Sequence, residues 1–297
     1  MARARRRSEA ALLGVFLGVL FTSPLSLRGQ SSATSGARPG KTVLPAVEEI
    51  LKKVIERARR DQDQKVEGKY AYTQHSMIEE LDSKEKVRKH EERVLQVFPI
   101  DGEPYARLVQ KDGKPLSEKD AKLEQERERK FRQRLAERKR KKEQGKKDDD
   151  EVDFDEALVS KYHFILAGRE PVNGRAAYVL GFEPRRADLP VKRRIDRLLN
   201  KVAGRLWIDE QDYAISRVDL HLAENVLAWG GLLASVRKFL LRVEQNKVDE
   251  AAWLPRYVDG YIDGRILIRS LHVRVKQENS DFRKVPPDGG PRSSPQP

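Results

Sequence analysis

The 297-residue sequence contains no cysteine. This absence excludes disulfide bonds, thiolate zinc sites and thiol nucleophiles. It also excludes the acylated cysteine that follows the signal peptide of a bacterial lipoprotein. Charged residues, by contrast, make up 36% of the chain and exceed the roughly 25% of an average globular protein. Part of the chain is therefore expected to be solvated, although its length suffices for a sizeable hydrophobic core.

Catalytic motifs are also missing. No Gly-x-Ser-x-Gly sequence presents a nucleophilic serine. The five histidines stand singly, without the i, i+4 spacing that lets two imidazoles face one metal on a helix: His75, His90, His163, His221 and His272. We therefore expect neither catalytic residues nor a metal site nor a cofactor, and we expect that the protein is not an enzyme.

The first 29 residues have the layout of a secretory signal peptide. Arginines at positions 3, 5, 6 and 7 precede an apolar run from Ala10 to Phe21, which small and polar residues then end. The apolar run is short for about 30 Å of hydrocarbon, so cleavage is the first interpretation and an uncleaved amino-terminal anchor the alternative. Either interpretation predicts a periplasmic or secreted protein. Residues 30–42 and 286–297 are expected to be a disordered spacer and a disordered tail.

The remainder, residues 43–285, has the pattern of one α+β domain. Helical spacing of apolar residues predicts a helix over Val43–Arg60. Residues 153–283 predict successive antiparallel hairpins, with turns at Asn173-Gly174 and Asp263-Gly264 and a helix over Pro190–Val202.

Residues 116–151 differ from their surroundings, because 116–147 is almost wholly Glu, Lys, Arg and Gln. Ser117 and Asp120 form a helix start signal, so we expect a long, exposed, charged helix inserted into the domain. Its basic residues are compatible with an anionic membrane surface, and an envelope protein is the alternative partner. Interleaved glutamates and the lack of aromatic residues for base stacking argue against nucleic acid.

Alternating apolar residues in the predicted strands indicate one apolar face of a large sheet. That face can close on helices as a dry core, or it can stay open and hold an apolar ligand. Its candidate lining residues are Tyr178, Leu180, Phe182, Leu206, Ile208, Val218, Leu220, Leu222, Ile266 and Ile268.

An ordered set of motifs resembles the outer-membrane lipoprotein-sorting (LolA-like) superfamily. The most recognisable part is a hairpin in which Gly204-Arg205-Leu206-Trp207-Ile208-Asp209 is followed by Ile215-Ser216-Arg217-Val218. Other parts of the set are Gly168-Arg169-Glu170-Pro171-Val172-Asn173-Gly174-Arg175, Tyr178-Val179-Leu180-Gly181-Phe182-Glu183-Pro184, Trp253-Leu254-Pro255 and Ser280-Asp281-Phe282-Arg283.

This resemblance implies a large antiparallel incomplete β-barrel packed over helices, with an apolar cavity for acyl chains. The implied function is binding of a lipid or lipidated protein through its acyl chain, for envelope transport or sorting. An alternative is an envelope sensor or scaffold that binds a protein partner through the same fold and its charged helix.

Overall fold

A computed structural model describes residues 44–144, 152–186, 189–192, 195–228, 234–250, 252–267 and 269–286. The predicted signal peptide, spacer and tail lie outside these ranges, apart from Pro286. Within them, no helix combines the length and the apolar character needed to cross a membrane.

The described elements are mostly strands. The helices are α1 (Val47–Gln64), α2 (Glu118–Glu143), α3 (Glu156–Val159) and α4 (Asp196–Leu199), with a 3₁₀ turn at Glu67–Lys69. The strands are β1 (Tyr70–Leu81), β2 (Val87–Ile100), β3 (Glu103–Lys111), β4 (Lys114–Pro115), β5 (Tyr162–Val172), β6 (Arg175–Pro184), β7 (Val202–Asp209), β8 (Ile215–Leu222), β9 (Val226–Ala228), β10 (Ala234–Lys247), β11 (Trp253–Ile266) and β12 (Arg269–Lys284).

All twelve strands form one open sheet. Its order is β4-β3-β2-β1-β12-β11-β10-β8-β7-β6-β5, with β9 paired to β10, and every pair is antiparallel. The sheet is not closed, because β4 and β5 stand at its two ends. The fold is therefore the incomplete antiparallel barrel with helices that the family resemblance implies.

Helix α1 packs on the face of the sheet that we call the inner face. Ile50, Leu51 and Val54 form a buried stripe on this helix, and they contact Leu180 and Leu206 of β6 and β7. The helix begins two residues after Pro45, which cannot donate a backbone hydrogen bond, and ends before Lys65 in the left-handed region (φ 49°).

The opposite, outer face carries charges of alternating sign. One row of paired residues crosses five strands in the order Arg205, Asp219, Arg242, Asp259 and Lys276. Arg242 Nε lies 3.0 Å from Asp219 Oδ1. Opposite charges on directly paired residues stabilise neighbouring strands and suit a solvated surface.

Helix α2 is less exposed than expected. Phe131 and Leu135 are half-buried against Phe98 and Tyr105 on the outer face of β2 and β3. The Tyr105 hydroxyl donates to Glu124 Oε1 at 2.6 Å in a buried contact. The sequence gives little sign of this packing, because only two large apolar residues of the helix and the hydrogen-bonded Glu124 carry it.

The helix predicted over Pro190–Val202 is wrong for most of its length. In the described residues of this segment, α4 covers only Asp196–Leu199, and Val202 already belongs to β7. The Asn200 side-chain amide donates to the carbonyls of Leu189 and Pro190, at 2.8 and 3.3 Å. Those carbonyls therefore bond to a side chain where a helix would use backbone N–H groups.

The predicted turn at Asn173-Gly174 is confirmed, since both residues have positive φ (50° and 78°) between paired strands. The predicted turn at Asp263-Gly264 is wrong, because β11 continues through it to Ile266. A Cβ on Gly264 would lie 2.4 Å from the Ser235 carbonyl oxygen, so glycine at this position allows β10 and β11 to approach closely.

Candidate ligand-binding face

The strand register places the predicted lining residues of β6, β7 and β8 on the inner face. Tyr178 pairs with Ile208, and Leu180 pairs with Leu206. Leu206 in turn pairs with Val218. Because directly paired residues share a face, the separate alternations of three strands combine into one apolar surface.

Helix α1 covers part of that surface. Tyr178, Leu180, Leu206 and Ile208 are buried in the cluster that contains the apolar stripe of α1, and Phe182 and Val218 are half-buried beside it. The protein itself therefore provides the apolar partner for these residues.

The remaining candidates lie away from this cluster. Leu220 and Leu222 are half-buried against Phe239 and Leu241 of β10. Ile266 is half-buried at the end of β11, and Ile268 lies outside the described residues. The role of all ten as a ligand lining stays a prediction.

The inner face continues beyond the predicted residues as a row that crosses six strands. We call it the central row; the register pairs its members successively from β8 to β2 as Leu220, Leu241, Gly260, Val275, Ile78 and Glu91. Leu220 and Ile78 are half-buried, whereas Leu241 and Val275 are buried. Of this row only Leu220 is among the residues predicted from the sequence, although Val275 and Ile78 each follow the two-residue alternation of a strand.

Gly260 leaves space in the middle of the central row. A Cβ built on this glycine would meet only Leu241 Cδ1 at 3.7 Å and the Val275 carbonyl oxygen at 4.0 Å. Both are ordinary van der Waals distances. By contrast, a Cβ on Gly204 would lie 2.0 Å from the Asp219 carbonyl oxygen. Gly260 therefore makes a notch in the inner face that close backbone packing does not require.

The central row ends in a cluster of charges, which we call the Glu91 cluster. Arg93 Nε donates to Glu91 Oε1 at 2.6 Å. Lys89 Nζ and Lys111 Nζ lie 3.3 and 3.4 Å from Glu91 Oε2. The register places all four side chains on the inner face, because Arg93 pairs with Lys111 and alternates with Glu91 and Lys89 along β2.

The cations of this cluster fix the ionisation of Glu91. Burial alone raises the pKa of a carboxyl group, and the Glu91 side chain is only 7% exposed. The nearby Arg93, Lys111 and Lys89 outweigh this effect and hold the pKa of Glu91 at about 2. Three cations around one carboxylate leave an excess of positive charge, and Glu80 at 3.3 Å from Lys89 offsets part of it.

The most recognisable hairpin of the sequence has a structural role. Asp209 ends β7 and accepts hydrogen bonds from the backbone N–H groups of Gln211 and Asp212, at 3.1 and 2.8 Å. Arg175 donates to both of its carboxylate oxygens, at 2.6 and 2.9 Å. Burial raises the pKa of Asp209, but these donors more than compensate and lower it. The acidic turn is thus held in place by its own carboxylate.

No family model matches the sequence, and no curated protein matches it. Among solved structures, the chain is similar to a putative outer membrane lipoprotein-sorting protein domain from Vibrio parahaemolyticus, with 14% identity, 80% of this chain and 92% of that chain covered, and a TM-score of 0.36. It is also similar to a LolA superfamily protein from Nitrosomonas europaea (14% identity, 82% and 96% covered, TM-score 0.28). A third is the Pseudomonas aeruginosa MucA/MucB complex (13% identity, 80% and 98% covered, TM-score 0.24).

These neighbours include the superfamily that the sequence motifs resemble. At such identities and TM-scores the likeness assigns no ligand and no partner to this chain. In the described part of the chain, no group of three or more His, Asp or Glu side chains is placed to hold a metal ion.

Proposed function

We propose that this protein acts in the periplasm or outside the cell, where it binds a lipid or a lipidated protein through an acyl chain. The acyl chain lies along the central row of the inner face. The observation that carries this proposal is the notch at Gly260, which interrupts an otherwise apolar row between Leu220 and Ile78. The basic and apolar segment at 1–29 supports the location.

The energetics favour such a site on an apolar surface. Exposing an acyl chain to water costs about 0.8 kcal/mol for each CH₂ group. A soluble carrier must therefore offer apolar area that its own core does not consume. The half-buried Leu220, Ile262 and Ile78 retain accessible surface on the inner face outside the cluster that α1 covers.

The Glu91 cluster orients the ligand in this proposal. It lies at the polar end of the central row, where Lys89, Arg93 and Lys111 outnumber the carboxylate that they surround. An acyl chain with an anionic end, such as a carboxylate or a phosphate group, places that end beside these cations. The two ends of the row thus match the two ends of an amphipathic ligand.

The test fills the notch. Gly260→Leu adds a side chain whose Cβ meets only ordinary van der Waals contacts, so we expect the fold to be retained and the acyl site to be blocked. We expect the purified wild type to bind palmitate at one molecule per chain in native mass spectrometry, and the variant to bind at least tenfold more weakly. Arg256→Leu adds the same side chain at an exposed position of the same strand and is expected to bind as the wild type does.

A second ligand tests the orientation. Hexadecanol has an apolar chain of the same length as palmitate but lacks the negative charge, so it should bind more weakly to the wild type. The proposal is wrong if neither ligand shifts the mass of the wild type, or if Gly260→Leu and wild type bind palmitate equally.

A second candidate function is binding of a protein partner through α2. Leu123 is 51% exposed on this helix and lies in a shallow cleft with Glu118, Lys119, Lys122 and Glu126. Because the chain has no cysteine, Leu123→Cys creates a unique thiol for a photo-activated crosslinker. A discrete crosslinked product in envelope preparations, absent when the thiol stands at the outer-face position Met77, would support this function. Equal labelling from both positions would contradict it.

A further inference from the structure

The connection between β11 and β12 has an unusual tip. β11 ends at Ile266 and β12 begins at Arg269, and these two residues pair. Tight hairpin connections favour glycine, asparagine or aspartate, because these residues tolerate positive φ. Here Leu267 takes a φ of 54°, which is costly for a bulky side chain.

The side chain presented by this strained backbone is in solvent. Leu267 is 56% exposed, the same fraction as Ile165 on β5 and among the highest of the large apolar residues described. Folding therefore obtains no relaxed backbone and only partial burial of apolar area from this leucine. When a residue type opposes its backbone conformation and gains little packing, a role in binding is the usual reason for its presence.

A second exposed leucine lies nearby. Leu227 is 53% exposed on β9 and pairs with Ser235, which pairs in turn with Arg265. With strands about 4.8 Å apart, Leu227 lies roughly two strand spacings from β11, at the same end of the sheet. We call the set of Leu227, Leu267, Arg265 and Arg269 the hairpin tip.

The two arginines of the hairpin tip lie on either side of Leu267 in the sequence. Arg265 and Arg269 are exposed, and they lie on the two strands that flank the turn, each two residues from Leu267. Arg237 and Lys238 add two exposed cations on β10. Asp263 lies 2.7 Å from Arg237 and Glu80 lies 4.0 Å from Arg269, so the four exposed cations share this end of the sheet with these two carboxylates.

We propose that the hairpin tip docks on an anionic lipid surface. The order of these side chains favours a membrane over a protein partner. An apolar side chain lies at the tip, and cationic groups follow at the depth where lipid phosphates lie. Leu267 and Leu227 enter the boundary between headgroups and acyl chains, while Arg265 and Arg269 contact the phosphates. The net charge of +13, which stays at +9 when residues 1–29 are removed, draws the protein toward such a surface. This docking does not require the acyl-binding function proposed above.

The experiment measures binding of the full protein to vesicles of phosphatidylcholine alone and of phosphatidylcholine mixed with phosphatidylglycerol. The wild type should bind the mixed vesicles, and binding should weaken as salt increases. Leu267→Asn should weaken it about tenfold, because the inserted side chain is lost. Asparagine accepts positive φ, so this variant should fold at least as stably as the wild type.

Two sets of controls make the test specific. Ile165→Asn changes a side chain of equal exposure elsewhere on the molecule and should bind as the wild type does. Arg265→Gln with Arg269→Gln should reduce both the affinity for mixed vesicles and its salt dependence. Arg138→Gln with Lys139→Gln, on the basic end of α2, should change neither.

The proposal is overturned if the wild type binds neither the phosphatidylcholine vesicles nor the mixed vesicles, or if Leu267→Asn binds like the wild type. It is also overturned if the double substitution on α2 alone abolishes binding. Gly260→Leu should still bind vesicles. A failure of acyl binding and a failure of membrane docking are therefore separate results.

Discussion

Glu91 shows how one residue links stability and binding on the inner face. Its carboxylate is nearly fully buried yet ionised, because Arg93, Lys89 and Lys111 surround it. A buried charge of this kind stabilises the fold only while its partners remain, and removing one partner leaves the others uncompensated. The same cations that satisfy Glu91 form the positive end of the proposed acyl site.

Replacing this residue should give a pH-dependent loss of stability. The pKa of Glu91 is about 2 in the folded protein and lies near 4.5 in the unfolded chain. A lowered pKa stabilises the folded state above the unfolded value, and this contribution is lost as pH falls toward 2. We expect Glu91→Gln to reduce the free energy of unfolding by on the order of 2 kcal/mol at pH 7, and by less at pH 3.

Urea unfolding at the two pH values measures this difference. Glu92→Gln is the matched control, because Glu92 is adjacent on β2 but its side chain is 63% exposed on the outer face. It should change the free energy of unfolding by no more than about 0.5 kcal/mol. An equal loss for Glu91→Gln at both pH values would contradict the assignment of the effect to ionisation.

At the scale of secondary-structure elements, α2 protects one edge of the sheet. β3 pairs with the two-residue strand β4 only at Gln110 and Lys111, so much of its outer edge has no strand partner among the described residues. Arg127 of α2 donates to the Ala106 carbonyl of this strand. Covering an edge with a helix prevents it from pairing with other chains.

This role predicts which residues of α2 matter. Phe131→Ala should lower the free energy of unfolding by about 2 kcal/mol, since the ring is half-buried against Tyr105 and its removal leaves a gap. Leu123→Ala removes an exposed side chain from the same helix and should be nearly neutral. Equal effects of the two substitutions in thermal or urea unfolding would show that α2 does not pack as described.

The sequence predicts those elements whose signals are local. Asn173-Gly174 is a turn because both residues accept positive φ, and the alternation in β6 to β8 correctly groups the residues of the inner face. The turn at Leu267 could not be predicted, because its residue type opposes the observed backbone. The covering of the inner face by α1 also depends on contacts distant in sequence, which alternation within strands does not reveal.

At the scale of the whole molecule, β12 holds the sheet together. It lies between β1 and β11 in the strand order, so β1–β4 connect to the other strands only through it in the described sheet. Its pairing runs from Val273 to Lys284 with β1 and from Arg269 to Glu278 with β11. The last described strand therefore pairs with a first strand that begins nearly two hundred residues earlier in the sequence.

A pair of truncations tests this architecture. A chain that ends at Leu267 lacks β12 and leaves edges of β1 and β11 unpaired, so it should lose the cooperative thermal transition seen by circular dichroism. A chain that ends at Pro286 keeps all twelve strands and should melt within a few degrees of the full-length protein. A cooperative transition in the shorter chain would mean that β5–β11 fold without β12, and that the inner face is two surfaces joined at β12 and not one continuous sheet.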